Sequence, residues 1–97
     1  TERIKSLNKI DEILTITQEE CAEVIQVISK IHRFGIGHEH VSSHRGITNT
    51  EKLEEEVGDL LAMIDLLVEN NVLRIDQLNE AKQKKIEKLH IWSKIYE

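Results

Sequence analysis

Apolar residues recur along most of this chain with the spacing of amphipathic α-helices. The pattern predicts four helices, at about residues 2–14, 17–34, 48–71 and 76–97. Thr17 and Glu20 have the spacing of a capping box, which indicates that the second helix begins there and gives Glu20 a structural alternative role. Asp76 is expected to cap the fourth helix. We therefore expect an all-α, four-helix, bundle-like fold.

The segment 35–49 interrupts this pattern, because it contains turn-forming residues and has no helical period. A loop of this length in a small domain is often functional. His38, His40 and His44 lie in it, with His32 nearby, and imidazole is a common ligand of transition metals. Their spacing matches no closed zinc site, so we expect them to be solvated or to face a substrate.

Two of the predicted helices carry acidic pairs at the same spacing, Glu20 with Glu23 and Glu56 with Asp59. Residues three apart differ by only about 60° around a helix, so both members of each pair point the same way. Glu20 and Glu56 fall within the apolar stripes of their helices, and Glu23 and Asp59 flank those stripes. Carboxylates that face a core are costly unless they are paired or bound to a cation. Because oxygen ligands suit hard divalent ions, the pattern predicts a site for Mg²⁺, with Mn²⁺ as an alternative.

Composition restricts the class of protein. The 97 residues are expected to form one domain, residues 1–97, whose core is aliphatic because the chain has one Phe, one Trp and one Tyr. So small a core gains from oligomerisation, and we expect a homodimer or homotetramer built through the helices. The net charge of −5 argues against a nucleic-acid partner.

The expected location is the cytoplasm, away from membranes. No apolar run is long enough to span a bilayer, and no signal-like segment precedes the first helix. The single cysteine, Cys21, excludes an intrachain disulfide framework and fits a reducing compartment. Cys21 lies on the apolar side of its predicted helix, so we expect it to be a small core residue.

The run Glu19-Glu20-Cys21-Ala22-Glu23, followed by Glu56-Val57-Gly58-Asp59, resembles a known pair of motifs. These are the EExxE and ExxD motifs of the all-α nucleoside triphosphate pyrophosphohydrolases, the MazG-like superfamily. The resemblance covers about residues 15–70, together with a lysine-bearing last helix. It implies a MazG-type fold and a magnesium site formed by four acids, which by position are Glu20, Glu23, Glu56 and Asp59.

The resemblance also implies the reaction, hydrolysis of a nucleoside triphosphate between the α and β phosphates to the monophosphate and pyrophosphate. Small members of this kind are expected to remove unwanted (deoxy)nucleotides. The four acids are then catalytic residues, and Glu19, beside Glu23 on its helix, is the candidate to orient water or accept its proton, with a solvated surface role as the alternative. Candidate phosphate-binding groups are Lys52 and Lys85, followed by Lys30 and Arg33 near a helix C-terminus, where cations are favoured in any case.

Other functions remain open at this point. The same scaffold could hydrolyse a phosphoribosylated ATP or dUTP, although the chain has no distinctive signature of either. A non-catalytic helical assembly module, in which the acids pair with lysines of a neighbouring subunit, is the other alternative. That module predicts a stability that does not depend on divalent ions.

Overall fold

The computed structural model describes residues 2–36 and 46–97, with side chains from residue 8 onward. These residues form three helices and no strand: α1 (Glu2–Phe34), α2 (Asn49–Glu69) and α3 (Ile75–Trp92). The all-α class is therefore confirmed for the described chain. Among these residues, no helix is long and apolar enough to cross a membrane.

The first two predicted helices are one continuous helix, α1, of 33 residues. Such a helix is about 50 Å long. The expected N-cap role of Thr17 is wrong, because Thr17 is an interior residue of α1. Its hydroxyl donates to the carbonyl oxygen of Ile13 at 2.7 Å. A β-branched residue costs only a few tenths of a kcal/mol in a helix, and no Gly or Pro interrupts the segment. Buried Ile13 anchors the helix on one side of the expected break.

Helix α2 begins and ends as the pattern predicts. Thr48 is its N-cap and forms a capping box with Glu51, in which side chain and backbone bond reciprocally at 3.1 Å. Beyond the C-cap Asn70, Asn71 adopts a left-handed conformation with φ of 61°. The amides of Asn71 and Val72 then donate to carbonyls of the last turn, as in a Schellman motif. Asparagine tolerates this backbone conformation better than most residues, which explains a helix end without glycine.

Helix α3 differs from the expectation at both ends. Asp76 is not the N-cap, since Arg74 occupies that position without a side-chain capping bond and Asp76 lies in the first turn. The helix ends at Trp92, with Ser93 as the C-cap, so it does not reach the last residues. The Ser93 hydroxyl donates to the carbonyl of Leu89 at 2.7 Å and competes with further helical hydrogen bonds.

Helices α1 and α2 pack on each other as an antiparallel hairpin, whereas α3 makes little contact with either. The Asn49 side-chain amide donates to the Gly35 carbonyl at 3.2 Å and ties the end of α1 to the start of α2. The buried apolar side chains of the described residues belong to this hairpin: Ile13, Val27 and Leu67.

Much of the apolar surface stays exposed in the single chain. Helix α3 has no buried residue, and the apolar arcs of α1 and α2 are wider than the interface between them. Cys21 is exposed, so its expected core position is wrong. The radius of gyration is 17.0 Å, against about 13 Å for a compact domain of 100 residues. The described chain is therefore an open hairpin with a third, outlying helix.

Candidate functional site

Three carboxylates from α1 and α2 meet at the middle of the hairpin. Glu20 comes from α1, and Glu56 and Asp59 come from successive turns of α2. One carboxylate oxygen from each lies within 4.8 Å of the others. The antiparallel packing brings this part of α1 opposite this part of α2, although the residues are far apart in sequence. We refer to these three residues as the acidic cluster.

Glu56 is the most enclosed member of the acidic cluster, with only 5% of its surface exposed. Its carboxylate accepts an ion pair from Lys52 Nζ at 2.9 Å, one turn earlier on α2. The same ammonium lies 3.6 Å from Glu55. A buried carboxylate needs such a partner, because an uncompensated charge away from water is costly. Lys52 therefore belongs to the site and supplies positive charge at its edge.

Glu20 is the member whose ionisation the fold disfavours. Burial raises the pKa of its carboxyl group, and the negative charges of Asp59, Glu56, Glu23 and Glu19 raise that pKa further, in this order. Glu20 is half-buried in the hairpin, and the charges that act on it come from both α2 and α1. A cation placed among the three oxygens would offset the repulsion between the acids, which is the second cause of the raised pKa.

The donor set fits a hard divalent cation. All three groups offer carboxylate oxygens, which are the ligands that Mg²⁺ and Mn²⁺ favour. Asp59 is exposed at the open side of the acidic cluster, so further positions can be filled by water or phosphate. Exposed acids often cluster without binding a metal, but here one of the three is buried and another resists ionisation.

Two further acids of the predicted motif are near the acidic cluster without belonging to it. Glu23 is exposed one turn after Glu20, outside the group of oxygens within 4.8 Å. Glu19 is also exposed. Both are close enough to raise the pKa of Glu20 through their charges. They form a negative rim on the α1 side of the site.

The other predicted phosphate-binding residues lie elsewhere. Lys85 lines a groove between α2 and α3 together with apolar residues of both helices. Lys30 is half-buried further along α1. Arg33 lies in the last turn of α1, where its guanidinium is 5.2 Å from the ring centroid of Phe34. Of the four predicted cations, Lys52 is the one that contacts the acidic cluster.

The pattern placed Asn49 at the boundary between the loop and the third predicted helix without giving it a role, and the structure makes it the first residue of α2. Asn49 is fully buried, and its Oδ1 has no hydrogen-bond partner in the described chain. Its position seven residues before Glu56, on the same helical face, was the sequence signal that could have identified it. The predicted histidine cluster His38, His40 and His44 lies outside the described residues.

Comparison with known families identifies the chain. Residues 8–92 match the model of the MazG nucleotide pyrophosphohydrolase domain. No curated protein and no solved structure is significantly similar to it. The family match includes both acidic motifs and all three helices over most of their length. This chain therefore belongs to the MazG nucleotide pyrophosphohydrolase family.

Proposed function

We propose that this protein hydrolyses (deoxy)nucleoside triphosphates to the monophosphate and pyrophosphate, with a divalent cation held by its acidic motifs. The observation that carries the proposal is the meeting of Glu20, Glu56 and Asp59 between two helices, with oxygens within 4.8 Å of one another. Family membership supports nucleotide pyrophosphohydrolysis as the class of reaction. Removal of unwanted nucleotides is the cellular role we propose, and it is supported by the family membership alone.

The cation would be held by Glu20, Glu56 and Asp59, with Glu23 as a fourth ligand from the rim. We propose Mg²⁺, with Mn²⁺ able to replace it, because every donor is a carboxylate. When bound, the cation neutralises charge on the phosphates and makes water a better nucleophile. We include Glu23 because it is exposed and lies one turn beyond Glu20 on α1, where residues three apart are neighbours on the helix surface.

Other residues of the chain would activate the attacking water and bind the phosphates. Water adds to the α phosphorus, and the bond to the oxygen bridging the α and β phosphates breaks as pyrophosphate leaves. We propose that Glu19, on the exposed rim, orients this water and accepts its proton. Lys52 is the best-positioned contact for a phosphate oxygen, because its ammonium is beside Glu56. Lys85, Lys30 and Arg33 remain candidates for contacts made by the substrate or in an assembly.

The proposal is tested by product analysis with each common NTP and dNTP, with and without Mg²⁺. Glu56→Gln keeps the shape of the side chain and removes its charge, so we expect kcat/KM to fall at least about 100-fold. Glu54→Gln is the matched control, because Glu54 is an exposed acid on the same helix. It should retain wild-type activity.

The products also distinguish the alternatives. Preference for dUTP or for a phosphoribosylated ATP would identify a more specific enzyme on the same scaffold. No turnover of any nucleotide, with a melting temperature that Mg²⁺ leaves unchanged, would overturn the proposal in favour of a non-catalytic assembly module.

We further propose that the protein works as a homodimer or homotetramer. The exposed apolar stripes and the outlying position of α3 support this, because one chain leaves large side chains such as Trp92 uncovered, at 83% exposure. A second copy could complete a bundle with the hairpin of α1 and α2. A single domain over residues 1–97, a cytoplasmic location and the absence of nucleic-acid or membrane partners stay predictions from the sequence.

A further inference from the structure

The Lys52 ammonium supplies a positive charge in contact with the acidic cluster. It lies 2.9 Å from the buried carboxylate of Glu56, and 25% of the Lys52 side chain is exposed. Among the described residues, Lys52 is the positively charged side chain that contacts the acidic cluster. Without it, none of the described residues would place an opposite charge in contact with Glu56, which faces Glu20 and Asp59, and like-charge repulsion opposes such an arrangement.

A divalent cation bound to Glu56 would change this arrangement. The ammonium and the cation carry the same sign and require the same carboxylate, so they compete for it. Glu55 lies 3.6 Å from the ammonium on the outer side of α2, with 41% of its side chain exposed. The lysine therefore has a second carboxylate within reach when the cation takes the first, and its long side chain can make the change by rotamer motion alone.

We propose that Lys52 is the resident counter-ion of the acidic cluster, which holds Glu56 in place in the metal-free protein and is displaced when a divalent cation binds. This inference rests on the proposed metal site. It implies that metal binding must break the ion pair between Lys52 and Glu56. Lys52 is thus a positioning residue whose release is coupled to metal binding. The displaced ammonium is then available to a phosphate oxygen of the substrate, so metal binding and substrate binding favour each other through this side chain.

If Lys52 is displaced by the cation, removing its charge should lower the stability of the metal-free protein and raise its affinity for the metal. Lys52→Gln removes the positive charge, so the metal-free protein should melt at a lower temperature while its Kd for Mn²⁺ falls about 3- to 10-fold. Lys52→Arg should raise the Kd for Mn²⁺, because a guanidinium pairs with a carboxylate more firmly than an ammonium does. A purely structural ion pair would lower the melting temperature without changing the Kd. A role limited to phosphate binding would raise KM and change neither quantity.

The experiment measures Mn²⁺ binding by electron paramagnetic resonance and the melting temperature by circular dichroism, each without nucleotide. Lys84→Gln is the matched control, because Lys84 makes an exposed pair of the same spacing with Glu80 at 3.1 Å on α3. It should leave the Kd unchanged. If Lys52→Gln is unfolded without metal, Lys52→Arg and wild type still give the direction of the effect.

The outcomes separate this inference from the proposed function. Equal Mn²⁺ affinity in wild type, Lys52→Gln and Lys52→Arg would overturn the counter-ion role and leave the metal site intact. Absence of Mn²⁺ binding from all variants would overturn the proposed function, and this inference with it.

Discussion

Folding places Glu20 in surroundings that disfavour its ionised form. A glutamate exposed on a single helix would ionise in its usual range, whereas burial and the charges on α2 raise the pKa of Glu20 in the hairpin. A folded-state pKa above the unfolded value means that the folded protein binds the proton more tightly. The resulting destabilisation is absent below the unfolded pKa, grows as the pH rises through it, and is complete above the folded pKa.

Replacement of this acid should therefore stabilise the metal-free protein. We expect Glu20→Gln to melt at a higher temperature than wild type at pH 7 with a chelator present, because it removes both the burial of a charge and the repulsion by neighbouring acids. The difference should shrink as the pH falls below the usual range of a glutamate, where the wild-type side chain is also neutral. Thermal melts at a series of pH values test this. A lower melting temperature for Glu20→Gln at pH 7 would contradict the assigned cause of the shift.

At the scale of the elements, the continuity of α1 decides where Glu20 lies. A helix beginning at Thr17 would place Glu20 in a first turn, bonded back to its own backbone. The single helix instead places Glu20 near its middle, where the side chain must face α2 or solvent. The capping box lies at the start of α2, where backbone and side-chain hydrogen bonds from Thr48 lower the pKa of Glu51. The sequence contains capping-box spacing at both places, and packing determines which one forms.

Proline at residue 18 distinguishes the two arrangements. If Thr17 were an N-cap, Gln18 would be the first helical residue, where proline is well tolerated. Inside a continuous α1, Gln18→Pro removes a hydrogen bond and clashes with the preceding turn, so we expect a loss of about 3 kcal/mol or more in the free energy of unfolding. Urea unfolding measures this, with Gln18→Ala as the control that preserves the helix. Equal stability of the two variants would favour a helix start at Thr17.

Considering the molecule as a whole, the groove between α2 and α3 is an apolar surface that the described residues of the single chain leave uncovered. Its apolar walls are Leu61, Ile64, Ile75, Leu78 and Ala81, and it encloses about 570 Å³. Apolar surface of this kind is usually covered by another protein surface. The proposed oligomer would cover it and would fix α3 relative to the hairpin.

A charge in this groove should weaken the proposed association. Ile75 is 59% exposed in the chain, so Ile75→Glu costs the fold little and adds a favourable charge to the first turn of α3. We expect association to weaken at least about tenfold, because a buried unpaired charge is costly. Sedimentation velocity at several concentrations measures this. Gln77→Glu, also exposed in the first turn of α3, is the control. Identical sedimentation of both variants and wild type would exclude the groove as an interface.

The helical class, the approximate bounds of α2 and the family follow from the sequence alone, because helical periodicity, capping chemistry and short acidic motifs are local properties. The EExxE and ExxD spacings also marked Glu20, Glu56 and Asp59 as neighbours on their own helices. The contact of Lys52 with Glu56 is also a local pair, one turn apart on α2. Features that depend on how the helices pack, by contrast, could be read from the folded structure alone. The folded structure merged the first two predicted helices, left Cys21 exposed, and placed Lys85 in the groove between α2 and α3. The physical reason is that helix packing fixes which part of each amphipathic stripe is covered, and no local pattern contains that information.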